Sequence, residues 1–419
     1  MKIAVVSDYV SQGGAAIACN RLAGALAAQG DEVRRFALER GVRPACPPSR
    51  VTFAPEPYGR RTGAVIELAK AFEFPNASRF LRIREVEKRL LGAIAEWQPD
   101  IVNVHNLHAF SPHFLLVSKL AQLAPIVWTL HDMWSFTGRC AYNDDCRQFE
   151  TGCTASCPTA AEYPALPHEA VPGEWQERAR FFAAMPRIAA VTPSRWLALE
   201  AARGLWRNHR VKVIPNSLDL HLHRPIERAV ARTALGLPSS RLPHVLLAAD
   251  YLDERRKGGS LVGPALAACG REITLLTLGN HAPASLPENV RSVHLGYISD
   301  ERTKALVYSA ADLLLHPAPT DNLPNTVVEA LACGTPVLAF QTGGLPDMVH
   351  PPITGWLVAV VSAEALGEML ARALDHPFPA REAIRAFAEE RYAPARQAAA
   401  YRELFTKLSN PSHDVCARN

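Results

Sequence analysis

The sequence predicts an α/β protein made of two doubly wound, parallel-sheet domains. Short apolar runs of the buried-strand kind recur along it, at Lys2–Ser7, Asp100–His105, Pro125–Leu130, Ile188–Thr192, Val245–Ala249 and Ile273–Gly279. Several of these runs lead through a Gly- or Pro-containing loop into a helical stretch, the order of a βαβ unit. The length, 419 residues, allows two domains that each bury their own core.

Composition excludes several classes. Hydrophobic residues at 48% and charged residues at 21% are those of a soluble globular chain, and no apolar run reaches the roughly 18 residues of a membrane-spanning helix. The opening MKIAVVSDYV reads as a first strand rather than a signal peptide. Nine cysteines without an export signal argue for reduced thiols or a metal, not for a disulfide framework. A net charge of +4 does not by itself point to nucleic acid.

The first strand is followed by Gln12-Gly13-Gly14 and a helix of small residues, Ala15–Ala28, stopped at Gly30. Without a G-x-G-x-x-G fingerprint, a nicotinamide or flavin site is disfavoured. Gly13-Gly14 is either a tight turn or a loop that closes over a ligand. Residues 60–89 hold eight basic and four acidic residues (8 − 4 = +4) with Phe72, Phe74, Phe80, Leu81 and Ile83 between them. This reads either as a solvated helix face or as a surface that docks on anionic lipid.

The next two strands end in polar residues, His105 with His108 nearby and His131-Asp132, where open α/β sheets place their ligands. Cys140, Cys146, Cys153 and Cys157 then fall in RCAYNDDCRQFETGCTASCP. They could form a tetrahedral zinc site or remain free or redox-active thiols; only the last pair has zinc-knuckle spacing.

In the second half, Arg256-Lys257 stands at a turn before Gly258-Gly259, where charge and helix dipole together suit a diphosphate; two exposed surface charges are the plainer reading. Residues 317–337, PAPTDNLPNTVVEALACGTPV, place Asp321 in a loop and Glu329 eight residues on, in a helix expected to begin at Pro324 and close at Gly334. The backbone N–H groups of Leu323, Asn325 and Thr326 at that helix end make an anion site. An ordinary strand–loop–helix with two solvated acids is the alternative.

The 321–329 segment resembles the E-x7-E signature of the retaining family-four glycosyltransferases of GT-B fold, with aspartate in place of the first glutamate. The resemblance extends to Val211–Asp219, similar to an I-P-N-G-[IV]-D stretch with Ser217 replacing glycine, and to Gly343–Asp347, similar to G-G-x-P-E. A subgroup carries a similar HDMW followed by a Cys-rich insertion. The resemblance implies two Rossmann-like domains facing across a cleft: residues 1–208 on the acceptor side, with the insertion at about 138–160, and 209–378 binding the nucleotide-sugar. Helices over 379–409 would cross back to the first domain, and 410–419 form a tail.

By the same resemblance Asp321 contacts donor-sugar hydroxyls, Glu329 the ribose, and His131 the reaction centre. Arg256, Lys257, Asn322, Leu323, Asn325 and Thr326 would hold the diphosphate, Tyr297 and Ile298 the base, and Gly13 and Gly14 the donor or acceptor. A family arginine about five residues before Lys257 is missing here, where the chain reads Asp250-Tyr251-Leu252. The implied activity is metal-independent transfer of a sugar from a nucleotide-diphosphate donor to a hydroxyl of a glycan or lipid-linked acceptor. It would require no cofactor, with structural zinc as an option, and would take place in the cytoplasm at the inner membrane face. A sugar-nucleotide epimerase or hydrolase of the same fold, or a non-catalytic nucleotide-sugar binding protein, are the alternatives.

Overall fold

The computed structural model describes residues 1–10, 13–37, 51–53, 75–108, 114–185, 187–238, 241–249, 252, 254–283 and 285–409. The chain divides into two compact units, residues 1–214 with 395–419, and residues 215–394.

The first unit holds seven parallel strands: β1 (Lys2–Ser7), β2 (Glu32–Ala37), β3 (Val51–Phe53), β4 (Ile101–Val104), β5 (Ile126–Thr129), β6 (Ile188–Thr192) and β7 (Arg210–Val213). Their order is β3-β2-β1-β4-β5-β6-β7. Alternation along β1 sends Ile3 and Val5 to one face, against Leu22 and Leu26 of the Gly13–Ala28 helix and Tyr401 and Phe405 of the Pro394–Ser409 helix. Ala4 and Val6 join the opposite core with Trp128, Trp134 and Trp206. Burial on both faces is why these strands read as unbroken apolar runs.

The second unit repeats the plan with β8 (His244–Ala248), β9 (Ile273–Leu278), β10 (Val290–His294), β11 (Leu313–His316), β12 (Val337–Phe340) and β13 (Gly355–Val358), in the order β10-β9-β8-β11-β12-β13. All of the described pairings in both sheets are parallel.

Three sequence expectations are corrected. The division falls after residue 214, not 208, because β7 pairs with β6 as the last strand of the first sheet. Of the C-terminal helices, Arg381–Tyr392 stays with the second unit, where Ile384, Ala388 and Tyr392 fill its core, and the Pro394–Ser409 helix belongs to the first. Pro324 stands just outside its helix, which runs Asn325–Ala332. At the other end Gly334 (φ +73°) closes that helix as expected: its N–H donates to Leu331 O at 3.0 Å and that of Thr335 to Ala330 O at 2.9 Å, a Schellman motif.

Of the basic stretch 60–89, residues 54–74 and the side chains of 75–83 lie outside the described residues, as do Asp250, Tyr251 and the tail from 410. Among the described residues no helix is long and apolar enough to cross a membrane.

Candidate active site

In an open parallel sheet, ligands bind beyond the carboxyl ends of the strands where the strand order reverses. In the second unit that point lies between β8 and β11, and the two loops leaving those ends carry Arg256-Lys257 and Asp321. They meet. Lys257 Nζ lies 3.0 Å from Asp321 Oδ2, and Arg256 Nη1 at 4.0 Å.

Glycines make this approach possible. Gly258 is left-handed (φ +71°), and a Cβ there would stand 2.0 Å from Pro317 O; one on Gly343 (φ +55°) would stand 2.2 Å from Asp321 O. The Gly344 N–H donates to Asp321 O at 2.9 Å, completing the wedge around the aspartate.

Burial would push the Asp321 carboxyl up, but Lys257, Arg256 and His316 together hold it well below the usual carboxylate range. His316, at the end of β11 with Nε2 3.8 Å from Asp321, is pulled down to about 4 by burial against the attraction of Asp321, with the two cations adding to the drop. His316 had no sequence signal beyond its place at a strand end.

The rest of the predicted donor set divides. The Asn322 N–H is given to Asp321 Oδ1 at 2.9 Å, and Asn322 and Leu323 are buried, while Asn325 and Thr326 at the helix end are partly exposed. Glu329 lies inside the unit at 4% exposure, where Oε2 accepts from the Tyr308 hydroxyl at 2.9 Å. With His223 and Glu301 it forms the one group among the described residues whose possible metal-ligand atoms all lie within 4.8 Å of one another. Lys304 already holds Glu301 at 2.9 Å, so this group is an internal polar cluster in which Tyr308 and Lys304 satisfy the carboxylates. Tyr297 is 61% exposed in the loop after β10, and Ile298 packs on the core beside it.

The first unit has its own switch point, between β1 and β4. Gly13 and Gly14 open the helix after β1. The buried Arg35 clamps that loop, donating to Ser7 Oγ at 2.8 Å, Asn20 Oδ1 at 2.8 Å and Tyr9 O at 3.2 Å. At the ends of β4 and β5, His105 Nδ1 and His131 Nε2 lie 2.8 Å apart.

Their proton positions follow from Asn103. Its Nδ2 donates to Val127 O (2.9 Å) and Thr129 Oγ1 (3.0 Å), leaving Oδ1 to accept from His105 Nε2 at 2.9 Å. His105 Nδ1 is then an acceptor, His131 donates from Nε2, and His131 Nδ1 carries no proton. Thr129 Oγ1 lies 2.9 Å from the Tyr401 hydroxyl, extending the chain into the C-terminal helix. Burial pulls His131 down to about 4, with the Asp132 attraction opposing and the His108 charge adding, and burial with His131 depresses His105 further. Beside this pair is a histidine–carboxylate pair. His108 Nε2 lies 3.3 Å from Asp132, which, against the effect of burial, raises His108 above its ordinary value.

The resemblance implies a role for His131, but its support from Asn103, Thr129 and Tyr401 has no motif of its own. Asn103 and His105 stand two residues apart and so share a strand face, the one local clue available.

Cys140, Cys146, Cys153 and Cys157 line a single cavity of about 10 Å³ in the first unit. All four are unbridged, and burial pushes Cys140 up to about 11 and Cys153 to about 12.

Two family models match the chain: Glycosyltransferase Family 4 over residues 12–222 and Glycosyl transferases group 1 over residues 266–391. The putative colanic acid biosynthesis glycosyl transferase WcaC of Escherichia coli K12 is 30% identical over 269 residues, which are 60% of this chain and 62% of that relative, so just over three fifths of its length is matched. The fold is similar to that of sucrose-phosphate synthase from Thermosynechococcus elongatus (TM-score 0.69, 22% identity, 97% of this chain and 98% of that one). It is also similar to that of Anabaena HepE in complex with UDP (0.63, 16%, 97% and 100%). With a family model spanning half its length and two parallel-sheet units, the chain belongs to glycosyltransferase family 4, of GT-B fold.

Proposed function

We propose that this protein is a retaining glycosyltransferase that moves a sugar from a nucleotide-diphosphate donor to a hydroxyl acceptor in polysaccharide or lipid-linked glycan assembly. One observation carries the reading: two cations, Arg256 and Lys257, gather with Asp321 at the carboxyl ends of β8 and β11, beside a helix N-terminus. A diphosphate recruits those cations, and Asp321, freed from Lys257, becomes an acceptor for sugar hydroxyls.

In the reaction the bond from the anomeric carbon to the leaving phosphate oxygen breaks and one to the acceptor oxygen forms on the same face. The acceptor proton passes to the departing phosphate. Arg256, Lys257 and the N–H groups of the Asn325–Ala332 helix offset the charge that develops there, so the chemistry itself calls for no metal. His131, with Nδ1 as an acceptor, serves a sugar hydroxyl on the first unit. Glu329 is assigned to the ribose, and Tyr297 and Ile298 to the base. Because HepE is held in complex with UDP, uridine donors are tried first.

The test is thermal-shift screening with UDP, GDP, ADP and their common sugar conjugates, followed by turnover with the donor that shifts. A ligand that binds only the folded chain raises the midpoint by mass action. Glu329→Ala is expected to lower kcat/KM by roughly one to two orders of magnitude, at about 1.36 kcal/mol per tenfold. Wild-type turnover by that variant, or no shift with any nucleotide, would overturn the assignment.

A further inference from the structure

We propose that Cys140, Cys146, Cys153 and Cys157 bind one zinc-class divalent ion as a tetrathiolate that ties the 137–170 segment together. The proposal rests on no reading of the reaction.

Geometry, charge and packing support it independently. The four thiols come from separate turns and surround one cavity, with Phe149 and Val171 among its other walls. A volume of about 10 Å³ leaves room for a single ion. The Gly138 N–H donates to Cys153 Sγ at 3.2 Å, the polarity that suits a bound thiolate. Gly138 is needed there, since a Cβ would stand 2.8 Å from Cys153 Cβ and 2.7 Å from Val171 Cγ1. Cys146 is delivered by a turn closed by its own N–H donating to Asn143 O at 2.7 Å.

The charge around the cavity asks for an anion. Arg139 and Arg178, 3% and 2% exposed, flank the cysteines. Arg139 lines the cavity and donates to Pro164 O at 2.7 Å and to the Thr159 and Glu162 carbonyls. Arg178 donates to Thr137 O at 2.9 Å and to Gly138 O, and stacks on Trp134 at 4.8 Å. Arg178 also faces Glu174, at 3.6 Å. A divalent ion with four thiolates carries a charge of −2 and would lie beside both guanidiniums, of which Arg178 is already offset in part by Glu174 and Glu177.

Packing gives the motive. Residues 137–170 hold only isolated 3-10 turns; Phe149 enters the unit's main core, and the rest packs over a small satellite cluster of Cys157, Ala160 and Val171. The thiols stand around the cavity more openly than the ~3.8 Å S···S spacing that a Zn–S bond of about 2.3 Å sets, so binding draws them inward. Because Met133 N–H donates to Ala141 O at 2.9 Å and Thr137 Oγ1 to Cys140 O at 2.7 Å, that closure also steadies the turn following His131.

The deciding experiment strips the full-length, reduced protein with a chelator and titrates it anaerobically with Co(II). The expected result is one equivalent bound, with the thiolate charge-transfer and intense ligand-field absorption of tetrahedral cobalt, displaced by one equivalent of Zn(II). Cys146→Ser and Cys157→Ser are each expected to weaken binding at least tenfold. Absence of the cobalt spectrum while all four thiols react with Ellman's reagent would overturn the proposal. So would an intact mass of the isolated protein showing two disulfides among these residues and no metal. The wild-type titration decides whether or not the variants fold.

Discussion

The two switch points solve the same problem, that of polar groups buried at strand ends, in opposite ways. In the first unit His105 and His131 stay neutral and are held by a directional chain of hydrogen bonds through Asn103. In the second, Lys257 and Asp321 stay charged and hold each other. A neutral chain costs little to keep buried but is sensitive to any change of tautomer. A buried ion pair is expensive if either partner is lost, yet it stores a cation that an incoming diphosphate can take over. On the proposed reading, the first unit presents a fixed acceptor and the second exchanges a partner.

The contrast is broken most severely at the glycines. Gly258→Ala is expected to cost about 3 kcal/mol or more in urea unfolding, because a left-handed residue with a Cβ costs roughly 1–2 kcal/mol before the 2.0 Å approach to Pro317 O is relieved. Gly13→Ala, at a similar φ of +82° but with nothing within 4 Å, should cost about 1 kcal/mol. Equal losses would show that the loop after β8 is not wedged against β11.

Lys257→Ala comes next. It leaves Asp321 buried with Arg256, at 4.0 Å, as the remaining cation paired with it and should destabilise by about 3 kcal/mol, with kcat/KM for the donor down roughly 10- to 100-fold. Adding Asp321→Asn should restore most of the midpoint and none of the turnover. Recovery of both would mean that the pair serves stability only.

The most gradual effect is in pH. His131 and His316 are both depressed to about 4, against an ordinary 6.5. Between those values the unfolded chain binds protons that the folded chain refuses, so stability is full above pH 6.5 and falls toward about pH 4. Each contributes up to about 1.4 kcal/mol per pH unit, with His108, raised by Asp132, working in the opposite direction. His131→Gln should remove one proton's share of the slope in chemical unfolding at stepped pH. An unchanged slope would show that His131 titrates normally.

Much of this was legible in the sequence. Buried parallel strands have to be apolar on both faces, so β1, β6, β8 and β9 could be placed from their composition alone. The Gly334 stop was equally clear. β7 was harder: as an edge strand, Arg-Val-Lys-Val with partly exposed residues, it resembled the opening of the second domain more than the end of the first sheet. That Glu329 is held inside the unit was not legible, because spacing along a helix does not reveal that Tyr308, 21 residues earlier, offers it a hydroxyl.

By itself the sequence determined the two α/β units, the switch-point loops and which residues could bear charge in them, since these depend on local apolar periodicity and on glycine and proline at loop positions. Only the tertiary structure decided which groups meet: Lys257 with Asp321 across 64 residues, His131 with His105 across 26, and Thr129 with Tyr401 across 272. Pairings of this kind are settled by the register of neighbouring strands and the direction of each hydrogen bond, and neither is written in the residues on one side alone.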